Sequence, residues 1–169
     1  GELKDKLLVI SNLNERNGII YKCNPSKVNA LERLIPHYKE RLESAAIINE
    51  NKIIVLYNGD KRSFAAIIDS AGTKLKSWTI PEGFCFNGLS YTRGDSVLLY
   101  YFDSFFNPSS VYKINLNTFE QTPMTKTIVP FSFKDLTTEM VYYYSKDSTL
   151  IPMYLTHKKS MKPDGNIPT

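Results

Sequence analysis

The sequence predicts an all-β fold, a partial β-propeller followed by a β-hairpin. Three observations carry that prediction. Strand-like runs rich in Val, Ile, Leu, Tyr and Phe fill the first three quarters of the chain. They recur with a period of roughly 45 residues, the length of one four-stranded propeller blade. The pattern then stops near residue 126, and two further runs joined by a polar turn follow it.

The first blade spans about residues 1–38. Its runs are Lys6-Leu7-Leu8-Val9-Ile10-Ser11, Gly18-Ile19-Ile20-Tyr21-Lys22 and residues 30–35. No apolar run precedes Lys6, so this blade is expected to lack its innermost strand. The second blade, about 39–82, has runs at 44–48, 52–57, 64–69 and 74–80. The third, about 83–127, has runs at 84–91, 96–101, 110–115 and 119–124. Turn residues sit where the repeat requires them, as in Asn24-Pro25-Ser26, Asp69-Ser70-Ala71-Gly72 and Asn115-Leu116-Asn117. The total is about two and three-quarter blades. Val28, Leu31, Leu34, Ile35, Tyr38 and Leu42 also fit helical spacing. Pro36 falls inside that pattern and breaks it, so strand followed by loop is preferred.

Two or three blades cannot close a ring, because propellers need about four to eight. Bare blade faces favour self-association or membership of a longer polypeptide. A chain that opens on Gly rather than Met reads as a fragment.

Residues 128–169 form a separate unit. A strand at 137–144 ends in Tyr142-Tyr143-Tyr144, Ser145-Lys146-Asp147-Ser148 makes a turn, and a strand at 149–157 returns. Pro152 must sit where the ladder needs no donor. The tail from Lys158, with Pro163-Asp164-Gly165 and Pro168, reads as surface loop. An isolated hairpin is marginal in water, so this one reads as the opening of a second domain. The three tyrosines are expected to be half-buried at the domain interface.

Composition narrows the function classes. The chain has 169 residues, of which 42% are hydrophobic, 12% aromatic and 22% charged, which excludes a disordered chain. A net charge of +4 with interleaved acids and bases does not support nucleic-acid binding. No apolar run approaches the roughly 18 residues of a membrane helix, and the charged start is no signal peptide. Cys23 and Cys85 form neither a zinc set nor a CxxC pair and read as buried free thiols. Trp78 reads as packing on an outer strand. His37 reads as a solvated loop residue, and His157 as a strand-end residue with a local hydrogen bond rather than a ligand or base. The runs Lys39-Glu40-Arg41 and Asp60-Lys61-Arg62 read as loop surface.

The hairpin region carries a specific pattern: Ser145-Lys146-Asp147, Thr149, Ile151-Pro152-Met153, His157-Lys158-Lys159, Lys162 and Asp164-Gly165. A second block is Tyr101-Phe102, Ser104-Phe105, Pro108 and Val111-Tyr112, followed by Asn115-Leu116-Asn117-Thr118. Both resemble the prolyl oligopeptidase family of serine peptidases, in which such a hairpin opens the C-terminal α/β-hydrolase domain. The resemblance implies about blades five to seven of a seven-bladed propeller not closed by a shared strand. It implies a parent that cleaves short peptides after proline, with the propeller capping the cleft and filtering by size. The inner strands at 44–48 and 84–91 would line the tunnel, and the interdomain hinge would fall at 126–133.

That chemistry requires a Ser on a G-x-S-x-G elbow, a His base, an Asp and oxyanion donors. The sequence has no G-x-S-x-G, and neither His37 nor His157 matches the family's catalytic histidine. The expectation is therefore no catalytic, cofactor or metal residue in this chain. The partners implied are the rest of the parent peptidase and, for the parent, Pro-containing peptides. The compartment, cytoplasmic or periplasmic, stays open. A non-catalytic interaction propeller is the alternative, although it has no reason to carry the Ser145-to-Lys159 pattern.

Overall fold

The computed structural model describes every residue except 1, 4, 14, 50, 61, 106, 107, 126, 127, 129–131, 163 and 166–169, and the side chains of 2, 3 and 49. Lys61, Pro163, Pro168 and most of the expected 126–133 hinge thus lie outside the described residues. Three four-stranded antiparallel sheets and a two-stranded hairpin make up the fold. The first sheet is β1 (Glu2–Leu3), β2 (Lys6–Ser11), β3 (Ile19–Cys23) and β4 (Glu32–Arg33). The second is β5 (Arg41–Asn49), β6 (Lys52–Asn58), β7 (Phe64–Asp69) and β8 (Lys74–Thr79). The third is β9 (Phe84–Ser90), β10 (Val97–Ser104), β11 (Ser110–Asn115) and β12 (Gln121–Pro123). Each sheet is a meander in chain order. The first strands are neighbours between sheets, β1 against β5 and β5 against β9. This is a partial β-propeller with three blades around a common inner edge.

Side-chain alternation explains why the middle blade is so apolar. Ile53, Val55 and Tyr57 of β6, with Phe64, Ala66 and Ile68 of β7, pack toward the first blade around Ile20, Leu34 and Ile35. The intervening Ile54, Leu56, Ala65 and Ile67 pack toward the third blade around Phe86, Leu98, Tyr100 and Ile114. Period-2 alternation therefore serves two cores at once, and the strands read as unbroken apolar runs. β10 faces a neighbour on one side only. Leu98, Tyr100 and Phe102 are buried, whereas Leu99, Tyr101 and Asp103 are half-buried. Burying one Leu, Ile or Phe contributes about 1.5–3 kcal/mol, against about 0–1 for an exposed pair such as Lys22–Glu32. The cores therefore dominate.

Polar clamps fasten the second blade to the third. Asn58 Nδ2 donates to the Phe86 carbonyl at 2.7 Å, and the Phe86 N–H donates to Asn58 Oδ1 at 2.7 Å. One amide side chain thus makes the paired bonds of a strand partner. Just past the other end of β9, the Tyr91 hydroxyl donates to the Ile48 carbonyl of β5. Lys52 Nζ also sits 5.4 Å from the Phe119 ring centroid. The first blade is tied to the second differently. Leu42 N–H donates to the Asn17 carbonyl at 2.7 Å, Asn17 Nδ2 donates to the Lys39 carbonyl at 2.7 Å, and Tyr38 packs on Tyr57 and Phe64.

Several expectations are corrected. The first blade does have an innermost strand: β1 folds back on β2 as a hairpin, pairing Glu2 with Leu7 and Leu3 with Lys6. Cys23 is buried as expected, but Cys85 is exposed, because β9 turns Phe86 into the core and Cys85 to the other side. As the preferred reading has it, the 28–42 stretch contains no helix. β4 takes two residues of it, and Leu34 and Ile35 are buried in the connector that follows. Lys39 and Glu40 lie outside strands, but Arg41 opens β5. Gly72 closes onto that connector, and a Cβ there would lie 2.0 Å from the Leu34 carbonyl oxygen at φ +88°. Only Gly fits.

Removing the Asn58 amide leaves both backbone groups of Phe86 unpartnered. Asn58→Ala is expected to lower unfolding stability by about 2 kcal/mol, whereas Lys22→Ala should change it by less than about 1 kcal/mol. Urea denaturation followed by tryptophan fluorescence checks both, since Trp78 packs against the core shared by the clamped blades.

Candidate functional site: the cleft under the hairpin

The hairpin consists of β13 (Leu136–Tyr144) and β14 (Leu150–Lys158), entered through a 3₁₀ turn at Phe133–Asp135 that Ser132 caps. Polar residues set its tip. Ser145 N–H donates to the Thr149 carbonyl at 2.9 Å and Ser148 N–H to the Ser145 carbonyl at 3.0 Å. Ser148 takes φ +64°, the one left-handed residue of the turn. The Ser145 hydroxyl and the Thr149 N–H donate to Asp147 Oδ1. Those bonds hold the Asp147 carboxyl down at about 2, chiefly through Ser145 and then Thr149.

The ladder accommodates its proline as the sequence requires. Ser145 bonds Thr149 at one end and Lys159 N–H bonds the Asp135 carbonyl at the other. Alternation between them makes Tyr142–Pro152 a non-hydrogen-bonded pair, so Pro152 leaves no donor missing. Thr138 and Thr156 form another such pair, and their hydroxyls meet at 2.8 Å.

The base of the hairpin sits over one end of the blades. Tyr154 packs on Phe105 of the β10–β11 loop, with ring centroids 5.0 Å apart. Beside that contact lies a cleft of about 530 Å³, lined by Asp60, Glu82 and Gly83 from the blade loops and by Leu136 to Met140, Tyr154 and Lys159 from the hairpin. Burial raises the Tyr154 hydroxyl above its ordinary pKa, and the Asp60 charge adds to the shift. The Tyr154 hydroxyl therefore stays protonated and can donate at neutral pH. The Asp60 and Glu82 carboxylates line the blade side of the cleft, and the Glu139 carboxylate, the Tyr154 ring and Lys159 line the hairpin side.

The singled-out residues are scattered. His157 Nδ1 lies 2.9 Å from the Lys158 carbonyl and Nε2 3.4 Å from Glu139. That is the local bonding expected of a strand-end histidine. His37 is exposed on the first-blade connector, 3.3 Å from Glu15. Among the described residues no group of three His, Cys, Asp or Glu side chains could hold a metal, and no helix is long and apolar enough to cross a membrane. Of the triple tyrosine, only Tyr144 departs from the half-buried expectation. Tyr142 and Tyr143 are 50% and 48% exposed, whereas Tyr144 at the turn is 74% exposed. The residues that sequence reasoning missed are Phe105 and Tyr154. Phe105 is part of the second block, but nothing local signals its contact with Tyr154 across 49 residues of sequence.

Comparison with known proteins decides the family. Residues 2–127 match the model of the prolyl oligopeptidase N-terminal β-propeller domain. The chain belongs to the prolyl oligopeptidase family. The prolyl endopeptidase of Elizabethkingia meningoseptica is 30% identical over 101 residues, which is 60% of this chain and 14% of that protein. That of Dictyostelium discoideum is 28% identical over 167 residues, 96% of this chain and 21% of its own length. A solved prolyl endopeptidase superposes with TM-score 0.83 at 23% identity, over 95% of this chain and 24% of its own. Prolyl oligopeptidase B of Galerina marginata, bound to a 35-residue substrate, superposes with TM-score 0.81 at 20% identity, over 95% and 23%. The chain thus spans less than a quarter of the length of each of these relatives.

The turn generates a pH prediction. An unfolded Asp titrates near 3.8 and the folded Asp147 near 2. Its contribution to the hairpin is complete above 3.8 and is lost as pH falls through about 2. Carboxyl carbon shifts read by NMR should titrate near 2 for Asp147, and Ser145→Ala should move that midpoint upward.

Proposed function

We propose that this chain is the propeller-side part of a proline-specific serine endopeptidase. Residues 1–127 would be about its last three blades and residues 128–169 the opening of its hydrolase domain. In this reading the chain performs no chemistry itself. It supplies the wall that the hydrolase cleft opens against, admits short peptides and turns away folded ones. The observation that carries the proposal is the Phe105–Tyr154 contact, which seats the hairpin on the blade loops of a family propeller. A hydrolase domain growing from that hairpin would lie over the same propeller end.

The mechanism follows from the residues present. A peptide bond is cleaved by a nucleophile, a base and an oxyanion donor set, none of which this chain is assigned. Its contribution is steric and electrostatic. The inner strands β5 and β9 would border the passage, and the clamps at Asn58 and Tyr91 would fix their separation. Asp60 and Glu82 at the cleft would favour cationic over anionic peptides entering from that side.

Two experiments test this. The purified 169-residue chain should not hydrolyse a Gly-Pro chromogenic substrate, and measurable turnover would overturn the reading. The second replaces the matching segment of the Dictyostelium discoideum enzyme with this chain. The chimaera should keep cleavage of a short Pro-containing peptide, and Phe105→Ala within it should raise cleavage of a peptide of about 40 residues several-fold relative to the short one. A folded chimaera with no size preference would favour the non-catalytic interaction module instead.

A further inference from the structure

A bulge in β8 brings a lysine to an open groove at the rim of the second blade. Phe64, Ala66 and Ile68 of β7 face the first blade, and the β8 residues opposite them share that face. Phe64 is opposite Thr79, and Ala66 is opposite Ser77. An unbroken ladder would set Leu75 against Ile68. The register shifts there instead, and Lys74 takes that place. Leu75 becomes the extra residue and is 45% exposed. The first blade covers little of this row. Its outer strand β4 has two residues where β8 has six, and Lys74, Ser77 and Thr79 are all exposed.

A cavity of about 290 Å³ opens along the row, lined by Tyr38, Arg62, Phe64, Lys74, Ser77 and Thr79 among others. Its polar lining is rich in donors. Arg62 lies 4.9 Å from the Phe64 ring centroid and bonds the Glu40 carboxylate through two nitrogens at 3.0 and 2.6 Å. That cation is held in place and balanced. Lys74 makes no ion pair with a described residue, so its charge is uncompensated. Asp69, five residues before it, spends Oδ1 on the Ala71 and Thr73 N–H groups of its own turn. The Ser77 and Thr79 hydroxyls make no hydrogen bond to a described residue. Among the described residues no carboxylate lines the cavity.

We propose that this groove binds a small organic phosphate. Lys74 supplies the counter-charge, and the Ser77 and Thr79 hydroxyls donate to the terminal oxygens. The half-buried Tyr38 ring takes the organic group. Donors without partners call for a ligand that only accepts. A phosphate monoester offers three terminal oxygens and a charge of about −1.5 to −2, whereas a carboxylate offers two oxygens and one charge. The volume lies near the lower end of ligand pockets, which suits one phosphate with a single ring attached. Successive same-face positions on a strand are about 6.6 Å apart, so the Lys74 side chain reaches back over Ser77. Leu75 in its place would leave the row with hydroxyls and no free charge. This inference rests on the β8 register and not on the peptidase reading.

The test titrates the isotopically labelled 169-residue chain with phenyl phosphate at about pH 7.5, where the monoester is a dianion. Amide shifts should saturate and centre on Tyr38, Lys74, Ser77 and Thr79. Lys74→Leu, at an exposed position, should leave the rest of the spectrum unchanged and weaken binding about tenfold. Lys74→Arg should keep binding within about threefold. Ser77→Ala offers a second variant and should weaken binding several-fold. Lys76→Leu is the control, because Lys76 is opposite Ile67 on the other face of the same strand and should not matter. Inorganic phosphate and phenylacetate should each bind several-fold more weakly than phenyl phosphate. An equal loss in Lys76→Leu, shifts spread over all lysines, or no saturation at about 20 mM ligand would overturn the proposal. Equal affinity for inorganic phosphate would also overturn it, by leaving an adventitious ion only. So would equal affinity for phenylacetate, because the site would then not select phosphate. Loss of peptidase activity in the chimaera above would not bear on this result.

Discussion

Burial of the middle blade on both faces is the constraint on which the rest of the structure depends. A flat sheet with one buried face alternates apolar and polar residues. β6 and β7 cannot do so, because odd positions face one core and even positions the other. That requirement fixes register. A slip of one residue would exchange Ile53, Val55 and Tyr57 with Ile54 and Leu56, and the two cores differ in shape. The first-blade side takes the Tyr38, Tyr57 and Phe64 cluster, with Tyr57 and Phe64 stacked at 4.9 Å. The third-blade side takes Phe86, Tyr100 and Phe102 instead. The flanking blades then align to the middle one, and their inner strands become neighbours.

The strands were legible in the sequence because this constraint writes itself into composition. Unbroken apolar runs at 52–57 and 64–69 mark the doubly buried strands, and the alternating run from Val97 marks a singly buried one. The clamps were not legible. Asn58 and Asn17 each precede a glycine, and Asn-Gly reads as a turn. Their role comes from the neighbouring blade, which lies 28 residues away for Phe86. Tyr91 likewise closes its bond across 43 residues. Local pattern cannot carry a partner at that distance. Cys85 was misread because an inner strand bordering open space does not obey the apolar-inside rule that its neighbours suggest. The hairpin's course was legible through Pro152 and the Ser145–Asp147 turn, since each satisfies a backbone requirement within a few residues.

The cleft depends on the blade ends more than on the hairpin itself. Phe105 continues the third blade beyond Ser104, where β10 ends, and carries an aromatic ring to Tyr154. The neighbouring loops at Asp60 and Glu82 are held by packing below them. Arg62 lies 4.9 Å from the Phe64 ring and bonds Glu40 at 2.6 Å, which anchors the loop that presents Asp60. Arg62 thus ties the loop before β7 to the strip of chain that enters β5.

The outward face of the third blade differs from the faces packed between blades. The outward face of the third blade, with Leu99, Tyr101 and Val111, keeps its backbone ladder complete, and only side chains are uncovered. Shielding such a face requires another sheet packed at about 10 Å and no new hydrogen bonds.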